Sequence, residues 1–148
     1  MQHTRVNETQ AYVISMTRYI CSGDVWVAIL AVLFELGLHT SMDGFLYLRR
    51  AIMIRYENPD IRMADIYRKI VERYDSATSV NQVDQAIYSL IGTAWNNRNE
   101  EIWDRFFPEE ILGKSRRPTN KEFISQISCF MELWCSYCRK EDVRYGTE

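Results

Sequence analysis

The sequence predicts an all-α domain. Apolar residues recur at intervals of three and four along several long segments, strict alternation is scarce, and only three Pro and six Gly interrupt 148 residues. The apolar share of 47%, with 13% aromatic residues, can fill one substantial core and excludes a disordered chain. A net charge of −2 provides no global attraction to nucleic acid or to an anionic membrane. Any contact with DNA therefore has to come from a local basic patch.

A first helix is expected from about Asn7 to Cys21, with Tyr12, Met16, Tyr19 and Ile20 on one face. Ser22-Gly23-Asp24 interrupts it, and Asp24 suits the N-cap of the apolar helix that follows. That run, Val25 to Leu38, contains Glu35 and falls short of the ~20 residues that span a bilayer. It also lies too far into the chain for a signal peptide. It reads as a buried core helix ended by Gly37, and no membrane partner and a cytoplasmic location are expected.

A third helix should run from Ser41 or Asp43 to about Asn58, with Phe45, Leu48, Ile52 and Tyr56 on one face and Arg49, Arg50 and Arg55 mostly on another. Asn58-Pro59-Asp60 makes a turn, because a residue before Pro avoids the α region. Two amphipathic helices follow, about Met63 to Tyr74 and Ser79 to Asn97. The second carries Val83, Ile87, Leu90, Ile91, Ala94 and Trp95 on one stripe. A shorter helix from Asn99 to Phe107 is stopped by Pro108, and a loop from Ile111 to Lys121 is expected next. Thr119 or Asn120 caps a last helix with Glu122 in its first turn and Phe123, Ile124, Ile127, Phe130, Met131 and Trp134 along its apolar side. The organisation expected is a helical extension over residues 1–21, one helical domain over 22–140, and a flexible polar tail over 141–148.

Catalytic chemistry finds no support in the residues. There is no His beside a nucleophile motif and no Gly-rich phosphate loop, so the chain is read as a non-enzyme. Cys135-x-x-Cys138 lacks a second ligand pair at metal-site spacing, and His3 and His39 do not supply one. Reduced thiols are the reading, with no metal and no cofactor.

The pair of helices between Ala64 and Asn97, joined by a short polar break, has the organisation by which a helix-turn-helix presents its second helix to a DNA groove. Off the apolar stripe of that second helix lie Asn81, Gln82, Gln85, Ser89 and Asn96. An amide there can pair with an adenine edge for ~1–3 kcal/mol of discrimination, and Asn81, Gln82, Gln85 and Ser89 are the candidate base readers. From Ser79 to Asn97 there is no Lys or Arg. Phosphate contacts would fall to Arg98 and to Lys114, Arg116, Arg117 and Lys121, the last four in the acid-free expected loop. Arg68, Lys69 and Arg73 on the preceding helix are also available, or are ordinary surface charges. Gly92 is unusual inside a helix, where it costs up to ~1 kcal/mol relative to Ala. It either permits a close approach by a backbone or partner or is simply tolerated.

Three motifs, GFLYLRRAI (Gly44 to Ile52), AIYSLIGTAW (Ala86 to Trp95) and RRPTNKEFIS (Arg116 to Ser125), carry a family likeness. In this order, after a helix ending in Glu-Leu-Gly, the chain resembles the C-terminal effector domain of stage-zero sporulation protein A, the response regulator of endospore-forming bacteria. The likeness runs from about Ala28 to Leu133. It implies a compact helical domain whose helix-turn-helix binds operator boxes in double-stranded DNA, often as a tandem pair, so a homodimer or a related regulator is a possible partner. It also implies a backbone contact from the basic residues before Pro-Thr-Asn, here Arg116 and Arg117. Two departures stand out. The residues before the match cannot hold the family's receiver domain, so phosphorylation control through this chain is not expected. Positions matching Gln82, Gln85, Tyr88 and Ser89 are usually basic in the family and are uncharged here. The leading expectation is a DNA-binding transcription regulator. The alternative is a family member that acts as a protein-interaction module and modulates a related regulator.

Overall fold

In the computed structural model, residues 24–112 and 116–145 are described, with side chains for 24–110 and 116–135. The expected first helix, the 1–21 extension and Lys114 lie outside the described residues. Seven helices cover the rest: α1 Val25–Glu35, α2 Asp43–Glu57, α3 Met63–Arg73, α4 Val80–Asn96, α5 Glu100–Phe106, α6 Glu109–Leu112 and α7 Asn120–Tyr145. The fold is all-α, with no strand among the described residues.

Helix α2 is the hub, packed against α1, α3, α4 and α7. Its buried residues Phe45, Tyr47, Leu48, Ala51 and Ile52 are spread around much of its circumference, which is what contact with several helices requires. Gly44 lets α2 and α4 approach closely, since a Cβ there would run into the Ala86 carbonyl group. Along α4, Val83, Ile87, Leu90, Ile91 and Ala94 are buried, as their three-and-four spacing predicts.

The termini follow local chemistry. Asp24 caps α1 by accepting from the Trp26 N–H at 2.9 Å. At the other end Gly37 takes φ 80°, while the Leu38 N–H donates to Leu33 O and the Gly37 N–H to Phe34 O. This is a Schellman ending, and the buried Leu38 and Leu33 side chains supply its apolar contact. One carbonyl left over at this end, Leu36 O, accepts from the buried Trp103 indole N–H at 3.1 Å, so α5 is latched to the end of α1.

Two boundaries differ from expectation. The loop after α5 is shorter than Ile111 to Lys121, because α6 occupies Glu109–Leu112 and α7 starts at Asn120. Acidic Glu109 and Glu110 after Pro108 favour a new helix N-terminus, and Thr119 caps α7. Helix α7 continues to Tyr145, past Lys140, and its sequence contains no Pro or Gly to stop it.

Candidate nucleic-acid interface

The N-terminus of α4 is set by its own sequence. Ser79 Oγ accepts from the Gln82 N–H at 3.0 Å, and Gln82 Oε1 accepts from the Thr78 N–H at 3.3 Å. Ser79 is thus the N-cap, worth ~1 kcal/mol, and the Gln82 amide reaches back to the N–H of the residue before that cap. The Gln82 carbonyl oxygen is therefore bonded to the turn. A bidentate amide contact to an adenine edge uses the same oxygen, whose second lone pair remains, but the bond to Thr78 fixes the direction in which the Gln82 amide points. Asn81, Gln85 and Ser89 are exposed along the outward side of α4, and Tyr88 stands among them at 54% exposure.

The turn between α3 and α4 is braced by the buried Tyr47 and by Arg50. Tyr47 OH donates to Ser76 Oγ at 2.7 Å, and the Arg50 Nε–H donates to Tyr74 OH at 3.1 Å. Arg49 and Arg50 both lie over the Trp26 ring, at 3.8 and 4.1 Å, and Arg49 donates to Trp26 O. Partial burial lowers the Arg49 pKa, with the nearby Arg50 adding to the effect and Asp24 opposing it.

The basic residues separate into two groups. Arg98 lies 3.6 Å over the Trp95 ring, donates to Trp95 O at 2.9 Å and pairs with Glu100 at 3.8 Å. Arg116 forms a two-pronged pair with Glu122, at 2.9 and 2.8 Å. The same Glu122 completes a reciprocal capping box with Thr119, whose N–H donates to the carboxylate at 2.9 Å while Thr119 Oγ accepts from the Glu122 N–H at 3.1 Å. The Arg116 hydrogen bonds, helped by the Thr119 N–H, hold the Glu122 carboxyl down to about 2. Arg98 and Arg116 are therefore already engaged within the domain.

Arg117, next in the chain, is placed differently. Its guanidinium lies 3.8 Å over the Tyr88 ring, and Nη2 donates to Tyr88 O at 2.6 Å. A Cβ at Gly92 would fall 2.6 Å from Nη1, with no other heavy atom nearby except the same guanidinium carbon. Gly92 is thus the gap through which a cation from the segment before α7 lies flat on α4. The close approach is by a side chain, whereas the sequence left open a backbone, a partner or a merely tolerated glycine.

Arg117 also borders an open groove of about 470 Å³ with Tyr67, Asp84, Tyr88, Asn120 and the exposed Lys121. Buried Asn120 ties its floor together, donating through Nδ2 to Tyr67 OH at 3.3 Å, Asp84 O at 3.1 Å and Asp84 Oδ1 at 3.0 Å. Burial pushes the Tyr67 pKa up. On the other side of α3, Arg68 pairs with Asp65 at 2.8 Å.

The structure therefore brings Asn81, Gln85, Ser89, Arg117 and Lys121 to one side of α4 and its flank; Gln82, Arg98, Arg116 and Arg117 all make internal hydrogen bonds, and Arg98 and Arg116 add a carboxylate partner that Arg117 lacks among the described contacts. Tyr88 and Gly92 belong with the first group. Their signals in the sequence were an aromatic residue off the apolar stripe and a helical glycine. Among the described residues, no group of three or more His, Cys, Asp or Glu is arranged to hold a metal, and no helix is long and apolar enough to cross a membrane. Compared with known families, residues 29–130 match the model described as Sporulation initiation factor Spo0A C terminal.

Proposed function

Because the chain belongs to the Sporulation initiation factor Spo0A C terminal family, we propose that it is a DNA-binding transcription regulator in which α3 and α4 act as a helix-turn-helix. Helix α4 enters the major groove, with Asn81, Gln85 and Ser89 nearest the base edges. Arg117 and Lys121 contact phosphates on one flank. The observation that carries this reading is the seat of Arg117 on Tyr88 and Gly92. A helix with no cation of its own receives one from a neighbouring loop, on the side where its polar residues face solvent.

Selection of bound duplexes from a random library, followed by fluorescence anisotropy over a salt series, tests it. Binding should recover a preferred sequence. Arg117→Ala should weaken binding to all duplexes alike and reduce the salt slope by about 0.9, as expected for one phosphate contact. Gln85→Ala should instead relax preference at one base position. No enrichment, together with no duplex affinity at low salt, would refute the proposal.

A second reading is a protein-interaction module that modulates a related regulator. The internal engagement of Arg98 and Arg116 and the exposure of Tyr88 favour it. In that case Tyr88→Ala would abolish complex formation with the relative, and the wild-type chain would leave DNA unbound.

A further inference from the structure

The connection between α3 and α4 runs from Tyr74 to Ser79, six residues, where a helix-turn-helix commonly uses about three or four. A longer connection leaves more freedom at the start of the second helix. The core does not remove it. The first buried residue of α4 is Val83, and ahead of it Val80 is 39% exposed and Asn81 is exposed as well. The opening turn of α4, which carries the candidate base reader Asn81, is therefore held from the connection rather than by the core.

Three contacts anchor that connection. The Ala77 side chain is buried, and its N–H donates to Tyr74 O at 3.0 Å. Tyr47 OH donates to Ser76 Oγ, and the Arg50 Nε–H donates to Tyr74 OH. Arg50 is itself seated on the Trp26 ring, and the Trp26 carbonyl accepts two bonds from Arg49, at 3.0 and 2.6 Å. A line of contacts thus runs from the first turn of α1, through α2, to the residue that follows α3. Half-buried Arg50 has no carboxylate partner among the described residues, so Tyr74 and Trp26 are what hold it.

We infer that Arg50 is a positioning residue for base recognition: through Tyr74 it fixes the α3–α4 connection, and with it the direction in which Asn81 leaves the first turn of α4. The inference deepens the DNA-binding reading and rests on it. Arg50 touches neither base nor phosphate in this role. Its influence ends at the Val83 anchor, so Gln85, beyond that anchor, is indifferent to it.

Duplex selection and anisotropy over a salt series, on the wild type, Asn81→Ala, Tyr74→Phe and Arg50→Ala, test it. Asn81→Ala identifies the base pair that Asn81 reads. Tyr74→Phe removes the acceptor without changing any charge. It and Arg50→Ala should each weaken discrimination at that pair by about two- to tenfold, the range set by one hydrogen bond. Preference at the Gln85 position and the salt slope should stay as in the wild type. Tyr74→Phe, the milder change, decides if Arg50→Ala fails to fold. A uniform loss in Arg50→Ala, with a slope lower by about 0.9, would make Arg50 a phosphate contact and overturn the proposal. Unchanged preference in Tyr74→Phe, or an equal loss at both positions, would overturn it too, as would Asn81→Ala with every base preference intact. No duplex binding by the wild type would instead sink the DNA-binding reading, and this inference with it.

Discussion

Substituting Gly92 by Ala should have opposite effects on stability depending on whether Arg117 is present. With Arg117 absent, as in Arg117→Ala, nothing else lies near the added Cβ. Replacing a glycine inside α4 should then stabilise the domain by about 0.5–1 kcal/mol. With Arg117 present, the new methyl would sit 2.6 Å from Nη1. The guanidinium is the end of a flexible chain, so it would swing away and lose its ring contact and its bond to Tyr88 O. Those are worth about 0.5–1 kcal/mol for an exposed cation–π contact and about 0.5–1.5 kcal/mol for the hydrogen bond. The helix-propensity gain is thus cancelled or outweighed, and Gly92→Ala should be neutral to about 2 kcal/mol destabilising. The coupling between the two substitutions comes to about 1–2.5 kcal/mol. Urea denaturation of the four proteins of the cycle measures it, and thermal midpoints should report about 2–4 °C per kcal/mol for a chain of this size. Equal stabilisation by Gly92→Ala in both backgrounds would show that the arginine does not rest on α4 in solution.

Gly44→Ala should contrast with this case, because its Cβ would meet the backbone carbonyl of Ala86, which cannot swing aside. A loss of about 1–3 kcal/mol is expected in denaturant unfolding, and no second substitution of a nearby side chain should rescue it. The Glu122 carboxyl, held at about 2 against an ordinary 4.5, contributes stability that is fully present above pH 4.5 and is lost as pH falls from there toward 2. Urea midpoints at pH 7 and pH 3 should therefore differ less in Glu122→Gln than in the wild type, and identical differences would contradict the Arg116–Glu122 pairing. Thr119→Ala, which removes the other half of the same box, should cost about 1 kcal/mol at pH 7.

Much of the fold is legible along the chain because helix formation and burial leave a local record. The intervals from Val83 to Ala94 announce which side of α4 faces the core. Gly37 and Asp24 mark the limits of α1 by conformational and hydrogen-bonding preferences that act within a few residues. The less accurate boundaries have two causes: a single helical turn fits between the breakers Pro108 and Gly113 and is too short to show a period, and beyond Lys140 no Pro or Gly stops the last helix before Tyr145.

The family motifs and the outward position of Asn81, Gln85 and Ser89 are likewise properties of sequence order and period. The fate of each cation is not. Arg116 and Arg117 are neighbours of one residue type and look equivalent on paper. In the folded domain Arg116 turns to Glu122, six residues along, while Arg117 reaches Tyr88, twenty-nine residues back. Gln82 differs from Gln85 for a local reason instead, because its place in the first turn brings it to the Thr78 N–H four residues back. A helix stripe needs only its own period, but a long polar side chain takes whichever carbonyl, carboxylate or ring the packing of other helices brings within 3–4 Å. Only tertiary structure decides which charges remain available to a partner.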